Sequence, residues 1–526
     1  MKPTKNFWIS LLLGLVLFGG IQYSMAGKFP DPDGFYHAKA SQLLTQGNLH
    51  DTFPWLYYTT WHEKYANQHF LYHWVLAPFN TVEKLPISVV VYAMLFLLFF
   101  LLVLRKAKIG HEIFWTIILL AGASDFLFRI GLVKANTLSL AFLCIIVLLM
   151  QTYHVAVESK KRLWSLFGIF LVAAIFVWTY GGFVCVPMLL AAYTTAFLFV
   201  KYVIKKDWRG IHLLTAFAPL VASVLGITLG LFAHPDSNHL FKLLYDQLFQ
   251  TGLGAGLNVP AGNEWRPFNV DWFVKSNILV LLTWSIGFGV NVYTMFKNRT
   301  TQERNTFPLW LNLTSLGLMA LTLWHRRFIE YWVPFAVLAA AFSFQPYLKL
   351  VGWKNFKESL QYWQMKFIVS ALLLVIAGTA YFNIKHATDS LRGGSLPTEF
   401  APASLWVKEN SNAGDIVFNS QWDQFPQLFY WNDKNYYIVG LDPTFMYIQD
   451  EYLYWQWRKV ADDKLEDWTS IGFVRDILKY DLKVRYVFID KNRNPALLNY
   501  ITTEDFDQKL FVNKFEDEVS VIMEIL

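Results

Sequence analysis

The chain is short of charge and nearly devoid of cysteine. Only 16% of its 526 residues are Asp, Glu, Lys or Arg, against roughly 25% in an ordinary soluble chain. Its two cysteines, Cys144 and Cys185, both fall inside apolar runs. The extramembrane parts therefore carry no disulfide framework, and cysteine usage says nothing about their redox compartment. There is no internal repeat and no low-complexity run to set an architecture. The formal net charge of +6 comes from basic loops described below, which excludes nucleic acid as a partner suggested by charge.

What the sequence has in abundance is long apolar runs. They cover 7–25, 86–104, 113–130, 135–155, 163–183, 184–200, 211–232, 273–295, 307–324, 329–348 and 367–382. Each approaches the roughly 20 residues needed to cross hydrocarbon, giving about eleven transmembrane helices. Lys2 and Lys5 precede the first run. Basic clusters then follow every second one: Arg105, Lys106 and Lys108; Lys160, Lys161 and Arg162; Lys205, Lys206 and Arg209; Lys297, Arg299 and Arg304; Lys349, Lys354 and Lys357. By the positive-inside rule the N-terminus is cytoplasmic, and an odd number of spans puts the C-terminal part on the extracytoplasmic face. The run 7–25 is long enough to be a retained span rather than a signal peptide, although Ala26-Gly27 is a weak cleavage cue. The expected location is a multi-pass integral protein of the bacterial inner (plasma) membrane.

Two parts follow. Residues 1–385 form a polytopic α-helical membrane domain with two long outer loops, 27–84 and 233–271. Long loops in compact proteins are functional or disordered, and the aromatic residues Trp55, Tyr57, Tyr58, Trp61, Tyr65, Trp265 and Trp272 argue against disorder. Gly393-Gly394 and Pro397 read as a linker into a C-terminal α/β outer domain, 386–526. In it Leu405-Trp406-Val407 sits on a helix, while 415–418 and 484–489 read as buried strands. In the first loop, 41–47 reads as the end of a short helix closed by glycine.

Chemistry-bearing residues gather at the outer ends of the spans. Pro30-Asp31-Pro32-Asp33-Gly34 is strong turn chemistry, yet Asp31 and Asp33 also precede a helix-like segment whose N-terminus favours ionised carboxylates. Asn263-Glu264-Trp265-Arg266-Pro267 lies in the second long loop, after glycines at 252, 254, 256 and 262. It reads either as a solvated Glu beside its own Arg or as a mobile acidic element. His325-Arg326-Arg327-Phe328 puts two arginines on the face where the topology disfavours positive charge, which suits a phosphate or an anchor to ordinary lipid. Asp125 and Arg129, with Lys134-Ala135-Asn136, read as an ion pair closing a turn plus a snorkelling lysine, or as part of a site. His69 and His73 share a helical face, but the sequence shows no third ligand for a metal.

Carboxylates, arginines and a lysine at one membrane face are the residue types that glycosyl transfer from a lipid phosphate requires. The phosphate is already a good leaving group, so positive charge must stabilise it as the bond breaks. One carboxylate must deprotonate or orient the attacking group.

The ordered motifs resemble those of the GT-C membrane glycosyltransferases, and among them the catalytic subunit of oligosaccharyltransferase. Pro30-Asp31-Pro32-Asp33-Gly34-Phe35-Tyr36-His37 is similar to that family's first acidic motif, and Gly262-Asn263-Glu264-Trp265-Arg266-Pro267 to its mobile-loop motif. Arg326 or Arg327 matches the arginine that meets the lipid phosphate. In the tail, Leu405 to Asn410, Ile416-Val417, Gln421-Trp422-Asp423-Gln424-Phe425-Pro426 and Gly440-Leu441-Asp442-Pro443-Thr444 resemble the acceptor-recognition segment.

The resemblance implies a polyprenyl-phosphate-linked sugar donor, an acceptor protein or glycan, and transfer on the extracytoplasmic face with inversion at the anomeric carbon. It makes Asp33, with Asp31 and Glu264, the catalytic acids. Arg326, Arg327 and Lys134 bind the donor phosphate, and Trp422 and Asp423 bind the acceptor. A divalent metal, Mn²⁺ or Mg²⁺, would be held by Asp33 and Glu264.

Three departures stand out. The family's second acidic motif falls where this chain reads Val133-Lys134-Ala135-Asn136, so a lysine replaces a metal ligand and points to metal independence. Only one tryptophan precedes Asp423, and the Tyr-Gly that should follow is absent. The span count is nearer that of protein mannosyltransferases. A second reading is therefore metal-independent transfer of a single sugar to a glycan, lipid or hydroxyl acceptor. A third, from another class, is a transporter or flippase of lipid-linked sugars, which should place polar residues midway through its spans. A non-catalytic binding subunit is a fourth.

Overall fold

A computed structural model describes residues 4–252, 259, 262–297, 306–350, 358, 361–464, 468–507 and 509–526. Lys2, Gly254, Gly256, Arg299, Arg304, Lys354 and Lys357 lie outside the described residues. Hydrocarbon offers no partner to backbone polar groups, so spanning segments must satisfy them within a helix. Among the described residues, nine helices are long and apolar enough to cross a membrane, and ten if the bent pair Glu112–Ala121 and Ser124–Ile130 is one span. The remaining expected run, 163–183, is the helix Ser159–Val177, whose first turn carries Lys160, Lys161 and Arg162. It packs so closely on Ile211–Phe232 that a Cβ on Gly226 would lie 2.2 Å from the Phe170 carbonyl oxygen. The last apolar helix runs Trp363–Arg392, past the expected end of its span.

The chain divides into two units. The membrane unit comprises Met1–Ala26, Ile87–Ala233 and Asn263–Arg392; the second unit comprises Gly27–Pro86, His234–Gly262 and Gly393–Leu526. In the membrane unit the helix Arg326–Tyr347 is the most enclosed of the spans. The apolar run 113–130 is not one rod. It turns by 87° between Ala121 and Ser124, where a Cβ on Gly122 would come within 2.9 Å of Val280. The bend delivers the short helix Ser124–Ile130, with Arg129 in its last turn.

The second unit is built on a five-stranded sheet. Its strands are β1 (Ile416–Phe418), β2 (Tyr436–Tyr437), β3 (Val484–Asp490), β4 (Phe511–Glu516) and β5 (Ser520–Ile525), in the order β2-β1-β3-β5-β4. β1 pairs in parallel with β2 and β3, while β5 runs antiparallel to β3 and β4. Ile416 and Phe418 of β1 and Val484, Val487 and Ile489 of β3 join Trp457, Tyr454 and Leu478 in one apolar core. The first loop belongs to this unit. Tyr57 N donates to Tyr437 O at 3.0 Å and Tyr437 N to Trp55 O at 2.8 Å, lengthening the sheet edge.

Gly393-Gly394 is more than a linker, because the Phe29 backbone crosses it and a Cβ on Gly394 would meet it at 2.2 Å. The helix Asp33–Thr45 ends ahead of Gly47, whose φ of +74° suits glycine. It packs on Phe425–Trp431, the rings of Phe35 and Tyr430 lying 6.0 Å apart.

Candidate functional site

In the membrane unit, one set of polar groups converges where several apolar helices begin or end. Glu330 opens the enclosed span and is completely buried. Its Oε2 accepts hydrogen bonds from Arg129 Nε at 3.0 Å, Arg129 Nη2 at 2.8 Å and Asn136 Nδ2 at 2.8 Å. Its Oε1 lies 3.4 Å from the Tyr180 hydroxyl. A buried carboxylate is tolerable only when paired and hydrogen-bonded in this way.

Arg129 does not close a turn with Asp125, which instead receives the Trp272 indole N–H at 3.1 Å. It extends the network outward, donating from Nη1 to Glu264 Oε2 at 2.5 Å. Two more cations reach Glu264: Lys134 Nζ at 3.9 Å and Arg327 Nη1 at 3.4 Å. Arg327 also donates from Nη2 to the Tyr180 hydroxyl at 2.9 Å and lies 4.2 Å from the Trp265 ring centre, a cation–π distance. His325 Nδ1 contacts the Trp265 carbonyl, which holds the two loops together. Burial works to raise the Glu264 carboxyl, but Arg327, Lys134 and Arg129 outweigh it and hold it well below the usual carboxylate range. Glu264 is therefore ionised at neutral pH.

Arg129, Lys134 and Arg327 against Glu264 and Glu330 leave one net positive charge. The inner members are sealed, with 0% of the Glu330 side chain exposed, while 20% of Arg327 and 27% of Glu264 remain open. A cluster that is neutralised within and cationic at its accessible rim is chemically suited to an anion with several acceptor oxygens. It is poorly suited to a divalent metal at Glu264, because three cations already surround that carboxylate.

The other candidates make these contacts. Arg326 is exposed; its Nε donates to the Pro267 carbonyl at 3.0 Å, and its guanidinium lies 5.7 Å from the Phe268 ring centre. In the second unit, Asp33 is the first residue of its helix and its N–H donates to Asp31 Oδ1 at 3.0 Å. Asp423 accepts two hydrogen bonds from Arg493 Nη1, at 2.7 and 2.8 Å, and Trp422 packs on the apolar core. Glu330 and Tyr180 were not singled out from sequence. A lone carboxylate at the edge of an apolar run was the available signal for the first; nothing marked the second.

No family model matches the chain, and no curated protein matches it either. Solved structures do. The oligosaccharyltransferase of Archaeoglobus fulgidus in its apo form aligns with a TM-score of 0.64 at 12% identity, over 94% of this chain and 71% of that one. ArnT from Cupriavidus metallidurans, bound to undecaprenyl phosphate, aligns with a TM-score of 0.57 at 14% identity, over 99% of this chain and 98% of that one. The same oligosaccharyltransferase in complex with Zn and sulfate gives 0.58 at 12% identity, over 96% and 71%. Both proteins are GT-C glycosyltransferases, and the likeness shows that this chain has the GT-C fold. With that fold and its apolar helices, the chain is an integral membrane protein.

Proposed function

We propose that the chain is a membrane glycosyltransferase that takes a sugar from a polyprenyl-phosphate donor, and that the cationic rim of the membrane unit holds the donor's phosphate. The observation that carries the reading is the convergence of Arg129, Lys134 and Arg327 on Glu264 with one positive charge in excess. These residues stand at the span ends opposite the basic loops, so the positive-inside rule assigns them to the extracytoplasmic face. The undecaprenyl phosphate in the ArnT neighbour supports a lipid phosphate as the anion. Arg327 and Lys134 bind and neutralise the phosphate as the glycosidic bond breaks, which lowers the barrier by electrostatic stabilisation of the leaving group. Arg129, locked onto Glu330, fixes the position of Glu264.

Asp33, with Asp31 beside it, is the carboxylate assigned to orient or deprotonate the acceptor, and Trp422 with Asp423 contributes to acceptor recognition. Asp33→Asn is expected to abolish transfer in proteoliposomes with expression intact. A fully active variant removes Asp33 from the mechanism.

Transfer without a metal is favoured by one observation, the lysine that reaches Glu264. Adding Mn²⁺ or Mg²⁺ to chelator-treated protein should then leave turnover unchanged. Restoration of lost activity by either ion would show that a metal is used.

A further inference from the structure

Three histidines of the second unit, unused by the proposed transfer, come together. His37 lies in the helix Asp33–Thr45, His69 caps the helix Phe70–Leu76, and His73 lies within it. The four-residue spacing puts His69 and His73 on one helical face, and the fold supplies the third ring that sequence spacing did not reveal. Their candidate ligand atoms all lie within 4.8 Å of one another. His37 Nδ1 and His73 Nε2 are 2.9 Å apart. The His37 and His69 rings stand nearly perpendicular with centres 5.0 Å apart.

The frame around them is fixed. Ser41 Oγ donates to the His73 carbonyl at 2.7 Å, and the hydroxyls of Tyr36 and Tyr65 meet at 2.8 Å. His37 and His73 are buried and His69 partly so.

We propose that His37, His69 and His73 bind one zinc ion, which ties the helix Asp33–Thr45 to the helix Phe70–Leu76. Zinc–imidazole bonds of about 2.0–2.1 Å in tetrahedral geometry separate ligand nitrogens by about 3.3 Å. The facing nitrogens of His37 and His73 need to part by only a few tenths of an ångström. The ring that donates in the present contact moves its proton to its other nitrogen, and both facing nitrogens then offer lone pairs, with no net proton released. An all-imidazole donor set selects zinc over Mg²⁺ and Mn²⁺, which prefer oxygen. The fourth position is left to water.

The test uses the full chain purified in detergent, stripped with a chelator and titrated with Zn²⁺ alone, reading metal content, the visible bands of the Co²⁺-substituted form and the melting midpoint. Wild type should retain one zinc per chain and melt higher with it. Replacement of partly exposed His69 by alanine, and separately His37→Gln, should weaken zinc binding by about 100-fold or more, while Asp33→Asn keeps it. Absence of retained zinc in wild type overturns the proposal. So does wild-type affinity in the His69→Ala protein, or loss of zinc confined to Asp33→Asn, which would move the ion to the acidic motif.

Discussion

Replacing Arg327 by alanine is expected to lower kcat/KM for a polyprenyl-phosphate-linked sugar by about 100- to 1,000-fold, the effect of removing one donor aimed at developing charge. The protein should still fold. Arg327 is partly open, and Glu264 keeps Arg129 and Lys134 when it is gone. What disappears is the cation at the rim, with its bond to Tyr180 and its place over Trp265. Arg327→Lys should fall between wild type and alanine. It restores the charge, but a single ammonium cannot reach Tyr180 and a phosphate oxygen in the fixed fork that a guanidinium provides. Initial rates over a range of donor concentrations, with melting midpoints as the folding control, decide the matter. Equal rates for wild type and the alanine variant would remove Arg327 from the site.

Arg129→Ala is expected to act through stability, costing about 3–5 kcal/mol, because it leaves a buried charge uncompensated. Glu330 is wholly buried and, among the described residues, would keep Asn136 and Tyr180 as its hydrogen-bond donors. The same physics predicts that Arg129→Met combined with Glu330→Leu recovers most of the loss, since apolar residues of similar volume often replace a buried ion pair without penalty. That double variant should fold and still transfer poorly, because Glu264 loses its shortest contact. Melting of the four proteins of this cycle in nanodiscs separates the pair's mutual term from each single loss. An Arg129→Ala protein as stable as wild type would mean that the Arg129–Glu330 pair does not hold this part of the fold together.

Much of this was legible before any coordinates. Long apolar runs must satisfy their backbone within a helix in hydrocarbon, so the spans could be read directly, and short runs rich in β-branched and aromatic residues marked β1 and β3. The break after Ala121 could not be, because Gly122-Ala123-Ser124 interrupts an apolar run without a proline or a charge. That break brings Arg129 to Glu330, and neither sequence distance nor type forecasts the pairing. The adjacent arginines 326 and 327 are equivalent as sequence. Only the short turn at Arg326–Phe328 sends one to Pro267 and the other to Glu264. The third histidine was hidden in the same way, since His37 precedes its partners by more than thirty residues. β4 is masked by the polar residues of a half-covered strand, whereas β5 is buried at all but Glu524 and its run Val521-Ile522-Met523 was a legible signal.

The role proposed for the rim formed by Arg327 and Lys134 is to hold a lipid phosphate. It is tested most directly by the affinity of the full chain, in nanodiscs, for undecaprenyl phosphate. Wild type should bind, Arg327→Ala and Lys134→Ala should each weaken binding by about tenfold or more for a lost charge-assisted contact, and Arg326→Ala should bind as wild type does. Unchanged affinity in both the Arg327 and the Lys134 variants would contradict the account.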